Sequence, residues 1–183
     1  MKLPKIKILD EKDSRLHNIS NEVSFPLSNE DKKLISDALI YLKMSQIDEY
    51  MEKYKLRAGM GLAFIQLGIP KRIFVIVEEQ DDGTFKNYTI INPKVISTSE
   101  ELVYVGEGEG CLSVNRDVEG IVPRCARILI ETCDLDGNKY TIRAREELAI
   151  AFQHEIDHLN GILFTDKIDK KDPYKNAEKM REI

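Results

Sequence analysis

Residues 152–161 read FQHEIDHLNG and belong to the longer apolar run EELAIAFQHEIDHLNG. Leu148, Ala149, Ala151, Phe152, Ile156 and Leu159 leave this segment so few polar faces that, as a helix, it must be buried by the rest of the fold. The same helix carries His154 and His158, two of only three histidines in the chain, with Glu155 and Asp157 between them. A spacing of four sets the two imidazoles one turn apart on one face, ~6 Å along the axis at a rise of ~1.5 Å per residue. Two imidazoles so placed can meet one cation, and Glu155, ~100° around the helix, can reach a water bound to it. The competing reading is a pair of unrelated core or surface histidines, and the acid at this spacing favours the metal.

Two histidines do not complete such a site, because a catalytic divalent ion usually takes three protein ligands and keeps one position open. A downstream carboxylate, Glu178 or Glu182, would give a zinc-peptidase arrangement. Cys125 or Cys133 would close a structural site, although both lie in or beside a strand-like run and read most simply as small core residues. Cys111 lies in GEGEGCLS, where Gly106, Gly108 and Gly110 permit unusual dihedrals and close approach of the backbone to a ligand. A turn of that kind is the expected way to deliver a cysteine to a metal. Three cysteines, odd in number and close in sequence, argue against a disulfide framework and read as thiols.

The remainder of the chain limits what can surround this helix. With 183 residues and 42% hydrophobic content, a single domain over residues 1–183 is expected. Lys+Arg 27 against Asp+Glu 32 gives a net charge of −5 without any long block of one sign, which speaks against nucleic-acid readout. Apolar runs such as IFVIV at 73–77 are too short to cross a bilayer. MKLPKIKILDEKD becomes acidic too early for an export signal, so the expectation is a soluble intracellular protein. Ser28 or Asn29 can cap a helix whose first turn holds Glu30 and Asp31. Leu34, Ile35, Ala38, Leu39, Leu42, Ile47 and Met51 extend it at helical spacing to about Tyr54. Strand-like segments follow at 73–77, 88–92, 101–105, 127–133 and 139–145, with DDG at 81–83 and DLDGN at 134–138 as tight turns between antiparallel neighbours. The second helix starts near Glu146 and stops at Asn160-Gly161, a left-handed cap. The closing residues DKKDPYKNAEKMREI are charged and read as a short helix or a frayed end. The fold class is α+β: mostly antiparallel sheets packed around a central metal-binding helix, with a long N-terminal helix.

GMGLAFIQ at 59–66, EGCLS at 109–113 and QHEIDH at 153–158 occur in the order and spacing of three motifs of peptide deformylase. The chain resembles that family from about residue 5 to about residue 168, and the segment before the glycine loop resembles the Gram-positive and mycoplasma-type group. The resemblance implies removal of the formyl group from the N-terminal methionine of newly made proteins. It implies one divalent metal ion on Cys111, His154 and His158, ferrous iron by family, with zinc, nickel or cobalt able to substitute. A metal-activated water would attack the formyl carbon with Glu155 as general base and acid, while Gln66 and the Leu112 N–H hold the oxyanion. Met60 and Ile150 are placed by it near the methionine side chain, and Gly61 and Gly110 along the peptide. Its implied partners are N-formyl-methionyl nascent peptides near the ribosomal exit tunnel, met in the cytoplasm by a monomer without membrane contact. Phe64 departs from the family pattern, which usually runs Ala-Ala-x-Gln. Arg124, after Pro123, is expected to pair with Glu109 beneath the cysteine loop. Asp157 either bonds groups near the histidines or faces solvent.

Overall fold

The computed structural model describes residues 2–183. Its strands are β1 (Gly61–Ala63), β2 (Ile73–Glu79), β3 (Phe85–Thr98), β4 (Leu102–Tyr104), β5 (Arg124–Cys125), β6 (Arg127–Cys133), β7 (Lys139–Arg145) and β8 (Arg181–Glu182). The helices are α1 (Asn29–Met44), α2 (Asp48–Tyr54), α3 (Glu146–Leu159) and α4 (Phe164–Lys167). The five-stranded sheet runs β1-β2-β3-β6-β7, antiparallel throughout, and a three-stranded sheet runs β5-β4-β8 with β4 and β8 parallel.

Strand β2 explains why IFVIV is apolar at every position. Side chains alternate across a strand, and here both faces are covered. Ile73, Val75 and Val77 pack with Leu62, Phe64 and Ile91 against Ile35, Ala38 and Leu42 of α1. Phe74 and Ile76 point the other way and pack with Ile90, Ile128, Ile130 and Ala144 against Ala149, Phe152 and Leu159 of α3. The sheet is thus held between the two long helices, and α3 is buried as its composition demands. Phe64 fits by turning into the α1 side of the core, where it is 0% exposed.

Several expectations change in detail. Ser28 does cap α1, its Oγ accepting from the Asp31 N–H at 3.0 Å, but the long helix breaks after Met44. Ser45 Oγ donates to the Leu42 carbonyl, while Gln46 Nε2 donates to the carbonyls of Gly59 and Val77 at 2.9 Å each. These side chains compete with continuation of the helix and tie the break to the glycine loop. Strand β3 continues past Pro93 through two register shifts, with Asn92 at φ +50. The left-handed residue after α3 is Gly161 at φ +74, whereas Asn160 stays at φ −99. A Cβ at Gly161 would come 2.5 Å from the His17 carbonyl oxygen. At the end of the chain the short helix expected there is a single 3-10 turn at Ala177–Lys179, and it leads into β8, which the sequence did not indicate.

Phe152 is one of the side chains that seat α3 on the sheet. Its ring is 0% exposed and meets Phe74 and Tyr88 edge-on at 5.8 and 5.7 Å. Phe152→Ala is expected to lower the unfolding free energy by ~3–5 kcal/mol in a urea titration. A loss below ~1 kcal/mol would show that α3 is held elsewhere.

Candidate metal centre

Helix α3 turns its Ala149, Phe152 and Leu159 side to the sheet and carries His154 and His158 on the opposite side. Their Nε2 atoms stand 3.2 Å apart, and the Cys111 Sγ lies 3.3 Å from Nε2 of His158. The donor atoms of Cys111, His154 and His158 all lie within 4.8 Å of one another. Glu178 and Glu182 are exposed and stand outside this group, as do Cys125 and Cys133. Cys133 packs instead into the α1 side of the core.

His154 is aimed by a neighbour, whereas Nδ1 of His158 is buried without a hydrogen-bond partner. His154 Nδ1 lies 2.8 Å from Glu109 Oε2, which leaves Nε2 free to face the cluster. Glu109 in turn accepts from Nε and Nη2 of Arg124 at 2.7 and 2.9 Å, the pairing expected from sequence. Arg124 Nη1 also donates to Asp157 at 2.5 Å, and Lys167 Nζ donates to the same oxygen at 2.9 Å. Asp157 is therefore buried and paired and does not face solvent. Burial would raise the Glu109 pKa, but its bonds to His154 and Arg124 outweigh that and hold it at about 2. Burial likewise opposes charge on His154, yet the Cys111 and Glu109 contacts raise its pKa well above the usual value. Burial and the neighbouring His154 charge keep His158 neutral, with a lone pair to offer. One cysteine sulfur and two imidazole nitrogens converging in this way form a donor set that suits a divalent ion.

Glu155 sits beside this group without joining it. The residue is 3% exposed, its Oε2 has no hydrogen-bond partner, and burial pushes its pKa up to about 7, with the Glu109 charge adding to the effect. A Cβ on Gly61 would collide with Glu155 Oε1, so the carboxylate occupies the space that a side chain at residue 61 would need. Gln66 is 1% exposed and fixed at both ends. Its Oε1 accepts from the Ala63 N–H at 2.8 Å, and its Nε2 lies 3.1 Å from Ser113 Oγ and 3.5 Å from Cys111 Sγ. The Leu112 N–H has no partner among the described residues.

Met60, Gly61, Gln66, Gly110, Cys111, Leu112, Ile150, His154 and Glu155 all line one cavity of about 340 Å³; His158 does not. Val77 N–H donates to the Met60 carbonyl, so Gly61, opposite Ile76, turns its own N–H and C=O toward the free edge of β1. Among the loop glycines, Gly108 needs its φ of +85, and Gly106 leaves room for the Glu182 side chain. A Cβ on Gly110 would meet nothing within 4 Å. Sequence reasoning missed four contributors. Ser113 steadies Gln66, and Arg57 holds the Cys111 carbonyl at 2.6 Å; Val105 and Ile183 line the cavity. Only Ser113 had a signal, its place in EGCLS beside Cys111.

The polypeptide deformylase family model matches residues 5–174. The peptide deformylase of Oceanobacillus iheyensis is 49% identical over 161 residues, covering 88% of both chains. That of Ligilactobacillus salivarius is 51% identical over 155 residues, covering 82% of this chain and 83% of its own. Among solved structures, peptide deformylase from Ehrlichia chaffeensis superimposes with a TM-score of 0.71 at 35% identity, over 91% of this chain and 89% of that one. The Thermotoga maritima enzyme gives 0.71 at 28% identity, over 90% and 97%. By motif, fold and identity across most of its length, this chain belongs to the polypeptide deformylase family.

Proposed function

We propose that this chain, acting as one catalytic domain, hydrolyses the formamide at the N-terminal formyl-methionine of newly made polypeptides, releasing formate and a free amine. The observation that carries the reading is the convergence of Cys111, His154 and His158 beside the buried carboxyl of Glu155, whose Oε2 has no hydrogen-bond partner, in a chain of this family. A divalent ion held by those three residues would supply Lewis acidity and lower the pKa of a bound water. Mixed nitrogen and sulfur donors admit iron, zinc, nickel or cobalt, and our reading is ferrous iron, which family membership supports. Glu155 takes the proton of the attacking water and passes it to the leaving amine. Gln66 Nε2 and the Leu112 N–H donate to the oxygen that gains charge, and the bond from Ala63 keeps the Gln66 amide turned the right way. The free N–H and C=O of Gly61 take the peptide backbone as an added strand, with Gly110 open on the facing loop. Met60 and Ile150 form apolar walls for the methionine side chain. We place the activity in the cytoplasm, on nascent chains near the ribosomal exit tunnel, with the chain as a monomer. No helix among the described residues is long and apolar enough to cross a membrane.

A formyl carbon bears only hydrogen, so an acetyl group adds a methyl where water, carbonyl and Glu155 must align. Overpacking by a methyl costs ~1–3 kcal/mol, and lost alignment adds to it. The metal-reconstituted protein is expected to prefer formyl-Met over acetyl-Met tripeptides by at least ~10²-fold in kcat/KM. Comparable rates on the two would sink the reading.

Glu155→Gln keeps the shape and removes the base. It is expected to retain stoichiometric metal and lose ~10²–10⁴-fold in turnover. Metal loss, or near-normal rates with metal kept, would remove Glu155 from this role.

Cys111→Ser replaces a thiolate by a neutral, poorer donor. Equilibrium dialysis against zinc or nickel should show at least ~10-fold weaker metal binding. Unchanged affinity would mean that the third ligand lies elsewhere.

A further inference from the structure

Beyond α4 the chain returns to the cavity. Arg181 and Glu182 pair in parallel with Val103 and Tyr104. The Ile183 N–H donates to the Tyr104 carbonyl at 2.9 Å, and the Gly106 N–H to the Ile183 carbonyl at 3.3 Å. Glu182 lies over Gly106 in space that any Cβ there would take. The Ile183 side chain packs with Val103, Val105, Ala126 and Ile150, and three of these five residues, Val105, Ile150 and Ile183, line the cavity.

These three branched aliphatic walls come from different parts of the chain. Ile150 is fixed by α3 and Val105 by the residues just after β4, whereas Ile183 follows a strand of only two residues. Its placement therefore depends on what anchors that strand. Arg181 Nε donates to Glu101 Oε1 at 3.0 Å, and Nη1 and Nη2 donate to the two oxygens of Glu146 at 2.8 and 2.9 Å. Glu146 is the first residue of α3, so one guanidinium ties the returning strand to the helix that carries His154. These groups are 38–46% exposed, so the ion pairs add little to stability and their effect is on position.

We propose that Ile183, held in place by Arg181, is a specificity-determining wall for the substrate's first side chain. The proposal rests on the deformylase reading above. An aliphatic wall that lines the cavity without contributing a polar group should select among side chains while leaving the reaction itself alone, since a hydrophobic pocket discriminates by ~10-fold or more per methylene.

The test uses the full, metal-reconstituted chain and three peptides: formyl-Met-Ala-Ser, formyl-Phe-Ala-Ser and formyl-Gly-Ala-Ser. Ile183→Ala is expected to raise the Phe/Met ratio of kcat/KM at least ~5-fold while the glycyl peptide stays within ~2-fold of wild type. Ile183→Val, which keeps the branching suited to a strand, should shift the ratio the same way by less. Arg181→Ala should shift it mainly through KM, as expected for a positioning residue. If the variants change all three peptides by a common factor, or change none, Ile183 is a packing residue and the proposal is overturned. Wild-type protein that turns over none of the peptides would overturn the deformylase reading, and the proposal with it.

Discussion

Arg124 keeps its charge at 1% side-chain exposure, and that charge fixes two carboxylates on either side of it. Glu109 is held by the guanidinium fork and hands its orientation on to His154; Asp157 is held by the third nitrogen and shared with Lys167. Two cations and two anions cancel within one connected network, which is the condition for burying any of them. Losing Arg124 would strand Glu109 in the interior, at a cost of ~3–5 kcal/mol, and would loosen the carboxylate that orients the His154 ring. The same network lets α3 be apolar toward the sheet and ionisable on its other side. A helix with such a division can be both the centre of the core and the floor of the site.

The sheet conveys this arrangement to the rest of the molecule. Because β2 is buried on both faces, it transmits the position of α1 to α3 through close-packed side chains. At the end of that sheet, β1 is held by β2 alone. Gln46 reaches from the break after α1 to the carbonyls of Gly59 and Val77, so the glycine loop is tied down just before it passes Glu155. Leu112 closes from the opposite loop, and its side chain would strike a Cβ on Gly59.

What could be read from the residues is what depends on local pattern. The helical spacing of His154 and His158, the turns at DDG and DLDGN, and the bounds of β6 and β7 all follow from periods of 3.6 or 2 and from turn chemistry. The break after Met44 could not be read, because the acceptor that ends Gln46's search is Val77, 31 residues away. Strand β8 has no period at two residues and exists through its pairing with β4. The tail carboxylates Glu178 and Glu182 were open as ligands only because sequence distance says nothing about which loop reaches the helix. Gly61 was understood as room for a peptide; the structure adds the Glu155 carboxylate as the group that excludes a side chain. Phe64 looked intrusive beside small residues in the motif, yet α1 gives it a buried seat.

The free edge of β1 has one more consequence. An unpaired strand edge invites other chains to add to it, and soluble proteins suppress that by shortening, charging or covering their edges. The far edge of this sheet, β7, follows the usual practice, with Lys139, Arg143 and Arg145 exposed along it. The β1 edge carries no such charge, and its protection is its size. Strand β1 has three residues, of which Leu62 and Ala63 are 0% exposed and the Ala63 N–H is already taken by Gln66, so Gly61 alone keeps its edge groups open, at the wall of the cavity. An open pair of edge groups and resistance to aggregation are reconciled there by one dimension, the length of the strand.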